Sequence, residues 1–213
     1  YAVPLINLAA VYRNIGDYEK ARSFSLEALA VQEKTVGKTH SDYALSLNVL
    51  ATIYLHLGNH SKAEQLHLEA KAIQEKVLGK EHPAYATTLY GLANLYLYMG
   101  TYEKGEKTHL ECKAIREKVL VREHPEYALT LMGLSMIYER DGRYSRSEPL
   151  LDMLFRLTQN RLSKAVSFLS ENELGKYLAT FQFDGNILSS FLQARPDGQQ
   201  SILPGVSYNY ELF

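Results

Sequence analysis

The sequence predicts an all-α protein: a helical solenoid of four helix-turn-helix hairpins with an extended C-terminal helical segment. Three observations predict this fold. Tyr1, Tyr43, Tyr85 and Tyr127 stand 42 residues apart, and each is followed by an alanine. The segments after these tyrosines share one pattern of apolar residues at helical spacing. A glycine interrupts every segment at the same register. Self-similarity at such a fixed period is the signature of stacked repeats.

The first helix of each hairpin, helix A, is predicted from its apolar face. In the second repeat the apolar residues fall at i, i+4, i+7, i+8 and i+11, from Tyr43 to Tyr54. The glycine that follows suits a left-handed residue ending the helix. The predicted core positions are Leu5, Leu8, Ala9 and Tyr12, then Tyr43, Leu47, Leu50, Ala51 and Tyr54, then Leu89, Leu92, Ala93 and Tyr96, then Leu131, Leu134, Ser135 and Tyr138. The glycines are Gly16, Gly58, Gly100 and Gly142.

The second helix, helix B, spans roughly 18 to 20 residues at the helical period. It is predicted to begin at Tyr18, His60, Tyr102 or Tyr144. A small residue three positions later lets the two helices approach closely: Ala21, Ala63, Gly105 or Ser147. Gly37 and Gly79 mark its end, and the next helix A is predicted to begin near Ser41, Pro83 or Pro125, because proline suits a first helical turn.

The fourth copy departs from this pattern, because its helix B continues without the terminator of the earlier repeats. An apolar stripe runs from Leu150 to Leu169. A capping box at Ser170–Glu173 predicts a further helix to about Phe191, and a loop follows near 195–206. We therefore predict an array at 1–158, with repeats 1–42, 43–84, 85–126 and 127–158, and a C-terminal helical cap or linker at 159–213.

The composition is that of an ordinary soluble chain without a charge bias. The 213 residues have a formal net charge of −1, with 46% hydrophobic and 22% charged residues. This balance argues against nucleic acid or an anionic membrane as a partner. No apolar run reaches the roughly 18 residues that a membrane span needs. The chain opens in mid-pattern without methionine or a secretory signal, so we predict a cytoplasmic piece of a longer protein.

We predict no catalytic residue, no cofactor and no metal site in this chain. Cys112 stands where the earlier repeats carry alanine, which indicates a small buried side chain; a nucleophilic thiol is the alternative. Histidines repeated once per helix pair are too far apart to share a metal ion, and we assign them to helix junctions. His56 and His60 straddle Gly58 and therefore do not share a continuous helix. The periodic histidines are His40, His82, His124, His67 and His109.

The hairpins resemble the tetratricopeptide repeat (TPR). The resemblance is carried by L-x-x-L-A-x-x-Y-x-x-x-G-x-Y-x-K-A, in register from Tyr1 to about Arg156. The long helix B with its E-K-V-L-G-K-E-H-P ending is similar to the 42-residue repeats of kinesin-light-chain type. Gly105 and Ser147 replace the usual alanine, and Val121 replaces a glycine. The resemblance implies a right-handed superhelix whose A helices line a concave, ligand-binding groove.

The tail carries a second resemblance. FLSENELGKYLATF, followed after a loop by YNYELF, is similar to the segment that joins TPR arrays to caspase-like CHAT protease domains. In that family a protease domain with a His and Cys dyad lies downstream. The resemblance therefore implies a protease in the parent protein, whereas this chain ends before any of its residues and is itself not an enzyme.

The family resemblance also implies where a protein or peptide ligand binds. The helix A positions outside the hairpin core form a mostly apolar set in which Asn48 and Asn94 are embedded, and an asparagine amide both donates to and accepts from a peptide backbone. Arg13 is its one basic residue, which argues against a peptide-carboxylate clamp and favours a segment with aliphatic or aromatic anchors. The predicted groove residues are Ile6, Ala10, Arg13, Asn48, Thr52, Leu55, Tyr90, Asn94, Leu97, Met132, Met136 and Glu139, with Val3, Leu45, Thr87 and Leu129 on the same face.

Several functions remain open at this stage. The leading hypothesis is a non-catalytic protein-interaction module, the sensing arm of a CHAT-type protease, with that protease as an intramolecular partner. The alternative is a free-standing adaptor of kinesin-light-chain type that binds peptide motifs. A third hypothesis makes Cys112 a nucleophile. The C-terminal helices could also fill the groove themselves, which would make it an internal packing surface.

Overall fold

The computed structural model describes residues 2–120 and 124–168, and in these ranges all the regular elements are α-helices. The chain divides into two compact units, residues 1–137 and 138–213. The predicted all-α architecture with four successive helix pairs is confirmed. The helices are α1 (Ala2–Asn14), α2 (Tyr18–Thr35), α3 (Ser41–His56), α4 (His60–Leu78), α5 (Pro83–Tyr98), α6 (Tyr102–Val119), α7 (Pro125–Arg140) and α8 (Tyr144–Phe168).

The turns between helix A and helix B form as predicted. All four turn glycines have a positive φ, for example 76° at Gly58 and 70° at Gly100. A residue without a Cβ takes this left-handed conformation at little cost, so it ends the helix sharply. Behind it, the N–H of Asn59 bonds to the carbonyl of Tyr54 at 2.9 Å, which satisfies a carbonyl that the end of α3 leaves free.

Three of the periodic histidines begin the A helices. The Nδ1 atoms of His40 and His82 accept from the backbone N–H groups of Asp42 (3.2 Å) and Ala84 (3.1 Å). His124 accepts in the same way from the N–H two residues on, at 3.2 Å. Each ring thus satisfies a donor that the first helical turn leaves unpaired. The assignment of these three histidines to helix junctions is confirmed.

In the first unit each helix pair packs closely, and helix B of one pair packs against helix A of the next (α2 on α3, α4 on α5). Ala21, Ala63 and Gly105 are buried where the helices approach. Leu50 and Leu92 have 2% and 3% of their surface exposed, as predicted for the core. The core prediction is wrong for Leu8, which is 43% exposed. The reason is that α1 packs against α2 and α3, whereas α3 and α5 are also covered by a preceding helix B.

In the second unit α8 extends over 25 residues, to Phe168, and buries Leu151, Leu154 and Leu157. The predicted continuation of the fourth helix B is therefore confirmed to that point. The boundary between array and cap at residue 158 stays a prediction. The helix expected after Ser170, the loop near 195–206 and the tail resembling a protease junction lie outside the described residues. Among the described helices, none is long and apolar enough to cross a membrane.

Candidate functional site

The predicted groove residues lie on the A helices, and in the first unit most are half-buried. Leu97 and Met132 are exceptions, because they are buried, with 4% and 7% of their surface exposed. Glu139 belongs to the second unit, where its carboxylate accepts a hydrogen bond from Ser147 Oγ at 3.1 Å. The half-buried residues are Ile6, Ala10, Arg13, Asn48, Thr52, Leu55, Tyr90, Asn94 and Met136.

The first turns of the A helices add a row of exposed side chains to this face. Val3, Leu45 and Leu129 are 65%, 42% and 36% exposed, and Thr87 is exposed at the same register. Aliphatic groups in such a row offer apolar contact area without a fixed direction. They can hold a ligand against the helices, while polar side chains must set its orientation.

Asn48 is already bonded inside the protein. Its Oδ1 lies 2.9 Å from His67 Nδ1, so this ring nitrogen is the donor, and its Nδ2 donates to the Thr88 hydroxyl. That hydroxyl donates in turn to Gln74 Oε1. The four side chains join α3, α4 and α5 through one buried polar chain. Asn48 therefore stabilises the stacking of two hairpins, and its amide is occupied.

Asn94 is different, although it was predicted for the same role. Its side chain is half-buried on α5, and no described residue forms a hydrogen bond with its amide. Tyr90 and Tyr98 lie one turn before and after it, so the three side chains form a row along one side of the helix. Tyr98 is 62% exposed. This row combines two aromatic rings with a free donor and acceptor.

Tyr90 is held from behind by a buried cation. The Arg116 guanidinium lies 5.1 Å from the centre of the Tyr90 ring, and the His109 ring meets it edge-on at 5.6 Å. Arg116 is 2% exposed; it pairs with the Glu126 carboxylate at 3.1 Å and donates to Thr130 Oγ1 at 2.7 Å. These contacts position the tyrosine ring on the helix A face.

We expect Arg116→Ala to lower the free energy of unfolding by about 3 kcal/mol, because it leaves buried acceptors and a carboxylate unpaired. Arg116→Gln should lose less than half of that, since the preceding repeat carries Gln74 at this position and bonds it to the equivalent hydroxyl. Chemical denaturation measures both values. An equal loss in the two variants would contradict this role for the hydrogen bonds.

His67 and His109 do not lie at helix junctions, so that part of the assignment is wrong. Each lies in the middle of a helix B, with its ring against a glycine of the next helix A. A Cβ added to Gly91 would lie 2.6 Å from His67 Cε1, and one added to Gly133 would lie 2.5 Å from His109 Cε1. Burial lowers the pKa of His67 to about 4, and burial together with Arg116 lowers that of His109 to about 3.

A 24-residue separation in sequence joins each histidine to its glycine, and it recurs one period later. That recurrence was a signal in the sequence, but only the packing shows what it means. The ring fills the space that a glycine leaves open, so a neutral imidazole becomes part of the contact between hairpins.

The described residues offer no catalytic or metal-binding arrangement. Cys112 is 0% exposed; burial raises the pKa of its thiol, and Sγ lies 3.2 Å from the carbonyl oxygen of Ala86. The predicted small buried side chain is confirmed at this position, and the environment opposes a nucleophilic thiolate. Nowhere in the described ranges do three His, Cys, Asp or Glu side chains converge as metal ligands would.

Stacked helix pairs with a polar and aromatic row on their A helices define a helical repeat protein of the ligand-binding type. The family model of the tetratricopeptide repeat matches residues 1–76, 45–103 and 85–160. The chain belongs to the tetratricopeptide repeat family, and the predicted family is confirmed. Among curated proteins, no match to the chain was found.

Solved structures share the fold at low sequence identity. BtubC (BKLC) from P. vanneervenii superposes with a TM-score of 0.68 at 21% identity, over 75% of this chain and 64% of its own. The chain thus spans less than two thirds of that protein. A putative kinesin light chain of Podosopora anserina with nearly identical TPR-like repeats gives 0.65 at 22% identity, over 93% and 96% of the two chains. The apo form of RapI gives 0.64 at 15% identity, over 90% and 76%.

Proposed function

We propose that this chain is a non-catalytic protein-interaction module that binds a peptide segment of its partner on the A helices of the first unit. The observation that carries the proposal is the Asn94 amide, which is half-buried, unbonded within the described residues and flanked by two tyrosines. An amide in this setting pairs with a peptide backbone by donating and accepting at once. The tyrosine rings supply large contact surfaces with little loss of rotamer entropy.

The ligand that fits this face is a segment with aliphatic or aromatic anchors. Leu45 and Leu129, on the helices either side of α5, add exposed apolar surface near the tyrosine row. Arg13 is the one basic member of the predicted set, so a carboxylate is not what the face selects. The backbone would bond at Asn94 while the anchors pack on the rings and leucines.

The test selects ligands from a library of random 12-residue peptides displayed on phage and measures their affinity by calorimetry. Asn94→Ala should weaken the selected peptides about tenfold, the equivalent of a lost hydrogen-bond pair of about 1.4 kcal/mol. Its thermal midpoint should stay unchanged, because no internal bond is removed.

Asn48→Ala is the matched control: it should lower the thermal midpoint, because it removes the partner of His67 and Thr88. Its effect on affinity should be smaller than that of Asn94→Ala. If Tyr90→Ala and Asn94→Ala together left peptide affinity unchanged, the helix A face would not be the binding site.

For the role of this binding, we propose a cytoplasmic adaptor or scaffold of kinesin-light-chain type. The 42-residue period, the long helix B and the fold shared with the putative kinesin light chain support it. In this role the module holds a partner peptide without changing it chemically.

The tail sequence favours a second role, the regulatory arm of a caspase-like CHAT protease. FLSENELGKYLATF and YNYELF support it, and partner binding would then bias an attached domain by selecting one arrangement of the array. Sequencing the native reading frame beyond Phe213 separates the two roles. A domain-sized continuation with a spaced His and Cys would favour the protease, and a stop codon soon after Phe213 would favour the adaptor.

A further inference from the structure

The outer face of α1 exposes residues that are buried in every other helix A of the first unit. We define this α1 outer face by Pro4, Asn7, Leu8, Val11 and Ile15, which lie on one side of the helix. Leu8 is 43% exposed and Val11 is 55% exposed. One period on, their equivalents Leu50 and Ile53 are 2% and 0% exposed, and two periods on, Leu92 and Leu95 are 3% and 0% exposed.

In the later hairpins the same face is covered by a helix B. Leu92 and Leu95 of α5 cluster with Ala63 of α4, the helix B that comes just before α5 in the chain. Leu50 of α3 clusters in the same way with Leu29 of α2. In both cases a short loop joins the covering helix directly to the helix A that it covers. The cover is thus the hairpin immediately preceding in the chain.

We propose that the α1 outer face docks the helix B of a further tetratricopeptide hairpin joined ahead of Tyr1. The argument is continuity: the face has the apolar residues, spacing and register of an interface that the first unit forms twice. The proposal is independent of the peptide-binding face, because Asn94 and Tyr90 lie on α5.

The polar residues of the face state what the docking helix must look like. Where Gly91 and Gly133 receive a histidine ring, α1 carries Asn7, whose side chain fills that space. The second hairpin carries Val49 there, and the helix B before it carries Ser25 at the histidine position. A docking helix should therefore present a serine-sized residue opposite Asn7. Pro4 replaces the hydroxyl of Thr88, so no hydrogen bond to a buried glutamine is needed.

The experiment fuses a second copy of residues 1–42 ahead of Tyr1 in the full chain. This copy brings Ala21 and Ser25 onto the α1 outer face. We expect the thermal midpoint to rise by about 5 °C, because each added interface contributes a nearest-neighbour term. In a Val11→Cys variant of the original helix, the new thiol should react at least about tenfold more slowly with a thiol reagent after fusion, since it becomes covered.

A copy of residues 43–84 fused at the same place is the matched control, because it brings His67 against Asn7. It should give a smaller rise in midpoint, and Asn7→Gly should restore the full rise. Equal effects of the two copies would overturn the serine-sized requirement, and no thiol protection with residues 1–42 would overturn the docking itself. If the unfused chain were a dimer in light scattering that Val11→Glu dissociates, the occupant would be a second copy and the proposal would be wrong.

Discussion

Gly133→Val is expected to lower the free energy of unfolding by about 2–3 kcal/mol, although valine is the better helix former. The new side chain would enter the space of the His109 ring, which lies 2.5 Å from where a Cβ would stand. His109 is fully buried, so its ring has little freedom to move aside. Urea denaturation of the two proteins measures the difference.

A second substitution should restore the contact. His109→Ser with Gly133→Val reproduces the pair of types found one interface earlier in register, Ser25 and Val49. We expect the double variant to lie within about 1 kcal/mol of the wild type, a coupling energy that only residues in contact show. Additive losses in the double variant would mean that the valine clashes with something other than the imidazole.

Acidification should destabilise the protein strongly through its two buried histidines. Burial lowers the pKa of His67 to about 4 and that of His109, beside Arg116, to about 3, so both rings stay neutral in the folded state. The unfolded chain takes up protons below about pH 6.5, so stability is full above that pH and falls as the pH drops. Between pH 7 and pH 4 each histidine should remove about 3 kcal/mol. Denaturation at stepwise pH measures the slope.

The repacked variant His109→Ser with Gly133→Val isolates one histidine from the carboxylates that also titrate in this range. It should lose about 3 kcal/mol less than the wild type over the same interval, because the His67 contribution remains. Identical pH profiles for the two proteins would show that His109 is protonated without unfolding, and its buried neutral state would be wrong.

These predictions concern the contacts between hairpins, where the repeats differ most. The polar position on helix B changes from Gln32 to Gln74 to Arg116, and each bonds to the next helix A in its own way. The facing residue of the histidine position changes from valine to glycine. Because each interface is formed by neighbours only, such pairs can change together without disturbing the rest of the array.

Sequence patterns predicted the helices closely, since their limits are set locally. The left-handed turn at Gly58 and the helix start at Pro83 each follow from the backbone preference of one residue. The burial of Ala63 follows from its register on a helix that must approach its partner. The placement of Leu8 failed for a corresponding reason: its register is a core register, but burial requires a second helix on that side.

The binding face shows the same division between local and tertiary causes. Asn48 and Asn94 have the same residue type and both lie on helix A, and the sequence predicts one role for both. In the structure His67 and Thr88 bond to the first amide, and no described residue bonds to the second. A hydrogen bond between residues 19 or 40 positions apart depends on how hairpins stack.

What the sequence determined by itself is the family, the period and the limits of the helices, because apolar spacing, capping residues and turn glycines act within a few residues of the chain. What only the tertiary structure decided is which polar groups are occupied: Asn48 in a buried chain, Arg116 behind Tyr90, and two neutral histidines against glycines. The physical reason is that desolvation and hydrogen-bond pairing depend on atoms that are brought together by packing, whatever their separation in sequence.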